Sequence, residues 1–94
     1  MSARPRARLD LFMHPLPDGV VFFDPRSEAT HLLNATASFI FACCDGEHDE
    51  DSIVLELRQA LGEALPAEQA QRDVRSTLLD LRTRELLEPD APVA

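Results

Sequence analysis

The densest run of potential ligands is Asp45-Gly46-Glu47-His48-Asp49-Glu50-Asp51. Asp45, Glu47, Asp49 and Asp51, followed by Glu56, match positions 1, 3, 5, 7 and 12 of a calcium-binding loop. That loop needs glycine at position 6 for its sharp turn, and this chain has Glu50 there. Position 8, ordinarily aliphatic, is Ser52. The run therefore reads as a solvated acidic loop whose charge suits the positive end of a following helix. His14, His31 and His48 share no spacing with one another or with Cys43 and Cys44 that would converge four ligands on zinc. No metal site is expected. The adjacent cysteines cannot staple distant parts of a fold, and a buried small thiol is the simpler role for one of them. No nucleophile elbow, phosphate loop or pair of catalytic carboxylates occurs, so no catalytic residue is assigned and an enzyme is not expected.

Two further constellations remain. Asp51-Ser52-Ile53-Val54-Leu55-Glu56-Leu57 resembles the Asp-Ser-Leu site of acyl and peptidyl carrier proteins, in which phosphopantetheine is attached to a serine at a helix start. Its acidic residue before the final leucine comes one position early, and carriers are helical throughout. The plain alternative is a capping role, with Ser52 or Asp51 starting a helix. Farther on, Arg75, Leu79 and Arg82 recur at spacings of four and three. They form one stripe beside the inward residues of a helix. A leucine between two arginines suits a partly apolar, acidic peptide. It equally suits a solvated helix surface.

These residues need elements to position them. Ninety-four residues make one domain. A chain of this size buries only about 60–65% of the surface its unfolded form exposes, so the core is modest. Apolar content of 45% with 28% charged residues is that of a folded protein. The formal net charge of -8 opposes sequence-independent binding to nucleic acid, and an acidic DNA regulator stays only as a minor alternative. No run approaches membrane-spanning length and no apolar stretch follows the basic start, so the cytoplasm is the expected compartment.

Residues 1–8 read as a mobile basic arm and 89–94 as a flexible tail, around a domain over 9–88. Leu9 to Met13 reads as a strand, with His14 to Gly19 as its turn. Val20-Val21-Phe22-Phe23 reads as a strand covered on both faces. After a turn at Asp24 to Ser27, Ala29 to Leu33 forms a third extended segment, giving an antiparallel meander. The period then changes. Asn34 can cap a helix over 35–44 whose apolar face holds Leu33, Ala37, Ile40, Phe41 and Cys44, with Gly46 ending it. A second helix places Ile53, Leu57, Ala60, Leu61 and Ala64 on one side. Pro66 breaks it and suits the start of a third, over 67–84, with Ala70, Val74, Leu78 and Leu81 inward. Leu86-Leu87 packs the end down. The expected class is α+β, a three-stranded antiparallel sheet followed by three helices.

Leu33-Asn34-x-x-Ala37-x-x-Ile40, then Cys44-Asp45-Gly46, Ile53-Val54, Leu57, Asp73-Val74 and Leu78, resembles the PqqD family over roughly residues 9–88. The resemblance implies a winged-helix-like domain that needs no cofactor. It implies a peptide chaperone, or recognition element, that binds the leader segment of a ribosomally made precursor. The leader is then presented to a modifying enzyme, often a radical SAM protein, as in pyrroloquinoline quinone synthesis or related pathways. It also implies docking of the leader as an added strand on the third strand, beside the third helix. The matching positions here are Ala29, Thr30, His31, Leu32 and Leu33, with Arg75, Leu79 and Arg82 contributing register and selectivity. An edge strand leaves both monomer and homodimer open.

Overall fold

A computed structural model describes residues 4–61 and 65–88. The expected positions Ala64, Pro89 and Pro92, the tail, and the first three residues of the arm lie outside them. Strands β1 (Phe12–Leu16), β2 (Gly19–Asp24) and β3 (Ala29–Asn34) precede helices α1 (Ala35–Ala42), α2 (Glu50–Leu61) and α3 (Ala67–Thr83). The sheet is antiparallel in the order β1-β2-β3. The architecture is the α+β class that the change of period implies.

The first hairpin is tighter than the turn residues suggest. Leu16 pairs with Gly19, leaving only Pro17 and Asp18 as the loop. His14, Pro15 and Leu16, expected in a turn, are therefore strand residues, and β1 starts at Phe12 rather than Leu9. Gly19 is required here because a Cβ would run into the Leu33 carbonyl. The second connection, Pro25 to Glu28, closes when the Glu28 N–H donates to the Asp24 carbonyl at 2.7 Å, with Glu28 at φ 61°.

Side chains alternate across a sheet. Phe22 and Leu33 point inward and are buried, whereas Phe12, Phe23 and Leu32 lie on the outer face and are exposed. The expectation that β2 is covered on both faces is thus corrected: the helices cover one side. An uninterrupted apolar run does not reveal which alternate residues have a layer above them.

Asn34 caps α1, its Oδ1 accepting from the Ala37 N–H at 2.8 Å. The helix stops at Cys43, before Gly46; that glycine has φ 81° and its N–H donates to the Pro5 carbonyl at 3.0 Å. Asp49, not Asp51 or Ser52, caps α2, accepting from the Ser52 N–H at 2.8 Å. On α2 the buried residues are Ile53, Val54 and Leu57, while Ala60 and Leu61 project outward. On α3 the inward set Ala70, Val74, Leu78 and Leu81 is as its spacing implies. The core joins these to Ile40, Leu86 and the Phe22–Phe41 ring pair, whose centroids are 4.6 Å apart.

The described part of the expected arm is built into the domain. Residues 5–8 run between two other segments. Ala7 N–H donates to Cys44 O at 2.8 Å, and Glu88 N–H to Arg6 O at 2.7 Å. Arg8 N–H donates to Leu86 O at 3.1 Å. The Arg8 guanidinium is buried, donates to both Asp24 oxygens at 2.7 and 2.9 Å, and also reaches Asp10 and the Glu85 carbonyl. These bonds hold Asp24 well below the usual carboxylate range and raise the guanidinium further above neutrality.

Candidate functional site

An open sheet edge presents backbone groups on alternate residues. The close approach of the Leu33 carbonyl to Gly19 fixes the parity in this sheet. Leu33 and Val20 face each other through their backbone bonds, so the main-chain groups of Thr30 and Leu32 turn away from β2. The same alternation carried through β2 turns the backbone of Pro15 toward the outer edge of β1. Proline has no N–H to offer there. The two edges of the sheet are therefore unlike: β1 is blunted by Pro15, while β3 offers Thr30 and Leu32.

Strand β3 and helix α3 stand apart. No Cα atom of β3 comes within 8 Å of a Cα of α3, although both elements pack on α1. The gap is crossed at one end by Arg84, directly after α3, whose Nη1 donates to the Leu32 carbonyl at 3.3 Å. Asp80 Oδ1 accepts from Arg84 Nε at 3.1 Å. At the same end of β3, a cavity of about 450 Å³ is lined by Leu16, Pro17, Leu32 and Leu33 among others. Leu32, 63% exposed, belongs both to this apolar hollow and to the strand edge.

The structure divides the residues singled out in the sequence. Thr30 and Leu32 are exposed, Ala29 and His31 are half-buried, and Leu33 is a core residue whose side chain is sealed inside. Arg75, Leu79 and Arg82 are brought together, but around a different cleft of about 460 Å³, with Pro5, Glu50 and Asp51. There Arg75 donates to both carboxylate oxygens of Glu50, at 3.3 and 3.1 Å, which raises its already high pKa. Arg84, which reaches the β3 edge, and Asp80, which holds it, carry no hydrophobic period and no motif. Only their bonds reveal them.

Cys44 is buried, its Sγ within 3.3 Å of the Ile40 carbonyl, and burial pushes its thiol up to about 12. Burial also raises Cys43. Neither is a thiolate at neutral pH, so neither has the reactive form. His48 Nδ1 lies 3.0 Å from Asp45, which raises the imidazole and holds the carboxyl down to about 2. Among the described residues, no three His, Cys, Asp or Glu side chains are grouped to hold a metal ion. None of the described helices is long and apolar enough to cross a membrane.

The family model for coenzyme PQQ synthesis protein D (PqqD) matches residues 19–87. The chain belongs to the PqqD family. The match spans β2, β3 and all three helices, so both walls of the gap beside β3 are PqqD elements. Two solved structures share the fold. TbiB1 in complex with the TbiA(beta) leader peptide is 23% identical, covering 92% of this chain and 98% of that one, with a TM-score of 0.74. Lasso peptide synthetase B1 complexed with the leader peptide is 23% identical, covering 93% and 100%, with a TM-score of 0.75. No curated protein matches the sequence. Strand β1 precedes the PqqD match, and each of the two folds aligns with more than nine-tenths of the chain.

Proposed function

We propose that this PqqD-family protein is a non-catalytic peptide chaperone. It binds the leader segment of a ribosomally made precursor peptide and holds it for a modifying enzyme. The observation that carries this reading is the asymmetry of the sheet. Pro15 blunts one edge, while Thr30 and Leu32 keep outward backbone groups on the other, where no Cα of β3 lies within 8 Å of one in α3. An extended peptide added there gains main-chain hydrogen bonds, and the hollow at Leu16, Pro17 and Leu32 accepts an apolar side chain. Both structural neighbours were solved with a leader peptide, which supports the same class of ligand here.

Within this reading Ala29, Thr30, His31 and Leu32 form the docking strand, with Leu33 fixing it to the core. Arg75, Leu79 and Arg82 form a second surface on α3 for the peptide's flanking residues. The binding unit is the domain over 9–88 together with its docked segment 5–8. The reaction belongs to the partner enzyme, for which a radical SAM protein of a cytoplasmic peptide-modification pathway is the proposed type.

Calorimetry of the folded protein against the small peptides encoded beside its gene tests the proposal. Saturable binding of one of them is expected. Absence of binding to every neighbouring peptide would sink it.

A further inference from the structure

Both sheet edges carry a guard, and the guards differ in kind. On β1 it is covalent: Pro15 removes one outward donor for good. On β3 it is a side chain. Arg84 Nη1 donates to the outward carbonyl of Leu32 at 3.3 Å, an acceptor that an added strand would use. The guanidinium is aimed there by Asp80, through Nε at 3.1 Å. Its backbone is anchored as well, the Arg84 N–H donating to the Asp80 carbonyl at 2.9 Å. The base of the side chain is therefore fixed while its tip lies on the strand.

We infer that Arg84 is a displaceable plug on the peptide-binding edge, occupying the Leu32 carbonyl until an N–H of the incoming strand takes its place. The inference rests on the strand-addition reading of β3. An unpaired edge is a template for any extended chain, including a second copy of this one. A plug that only a well-registered strand removes raises the threshold for casual pairing. It also sets a requirement on the ligand, because the peptide residue facing Leu32 must carry an N–H. Proline at that place cannot displace the guanidinium. Asp80 keeps the released side chain close, so the plug returns when the peptide leaves.

The test uses the full chain and, as its probe, the strongest binder recovered from a display library of random peptides. Calorimetry compares wild type with Arg84→Ala at low and high salt. The expected result is about threefold tighter binding by Arg84→Ala, the scale of one exposed hydrogen bond, with a melting temperature lowered by only a few degrees as that bond is lost from the free protein. The gain persists at high salt, which separates it from the change in net charge. Unchanged or weaker binding, or a gain that vanishes with salt, overturns the plug. A second measurement needs no ligand. In sedimentation velocity Arg84→Ala self-associates at lower concentration than wild type, and adding Thr30→Pro reverses this. Should the library yield no binder, strand addition fails as a function. The plug is then judged on the free protein alone, and identical self-association of the two proteins overturns it.

Discussion

Arg8 shows how far one residue's role can depart from its local sequence. It sits in a basic run and reads as part of an arm, yet its guanidinium is buried against Asp24, 16 positions away. The pair is bidentate, and Asp10 and the Glu85 carbonyl take up its remaining donors. Removing one partner strands the other in the interior. Arg8→Ala is therefore expected to lower the melting temperature by roughly 10 °C or more, read by circular dichroism. The pH dependence follows from the direction of the Asp24 shift. A depressed carboxyl contributes stability that is present above its unfolded value, near 3.9, and is lost as pH falls through the folded value. Acid unfolding should thus set in below about pH 4, and Asp24→Asn should remove that part of the slope. His48 acts in the opposite sense. Its folded pKa is raised by Asp45, so its contribution is full below about pH 6.5 and fades as pH rises through the folded value. Denaturant titrations of His48→Gln between pH 5 and 8 should show that slope flattened.

At the level of elements, helices were more legible than edges. The period of Ala70, Val74, Leu78 and Leu81 places the buried face of α3 without any structure. Asn34 announces the start of α1, and Asn34→Ala should cost about 1 kcal/mol in chemical denaturation. Strand boundaries were harder, because Pro15 in an edge strand looks like a turn residue until its partner is known. The direction in which a strand's backbone groups point depends on register, and register is a relation between two segments. That relation yields a sharp prediction. Thr30→Pro removes an outward donor without touching the β2 ladder, so it should weaken peptide binding several-fold while the far-ultraviolet spectrum stays native. Unfolding of that variant would mean that the parity assigned to β3 is wrong.

Considered whole, the molecule is one core with three lids. The sheet's inner face, the helix trio and the docked segment 5–8 all close on Ile40, Ile53, Leu57, Leu81 and Leu86. Deleting residues 1–8 should accordingly lower the melting temperature and raise dye binding to exposed apolar surface, since the Leu86 and Cys44 carbonyls lose their donors. The fold tolerates change on the far side of α3. Leu79 is 64% exposed, so Leu79→Asp should alter stability by no more than about 0.5 kcal/mol. Any larger effect of that variant would then appear in peptide affinity.

Local spacing and caps by themselves determined the order of three strands and three helices and the buried face of α3. The family resemblance carried by Leu33 to Gly46 reached further, to the type of ligand. Tertiary structure decided what depends on pairs of distant segments. It showed which sheet edge is open, that Arg75 is already bound by Glu50, and that Asp80 and Arg84 stand at the gap. The physical reason is range. Helical periodicity and capping act over a few residues and are written along the chain. Strand register and ion pairing join groups that meet only when the chain has closed on itself.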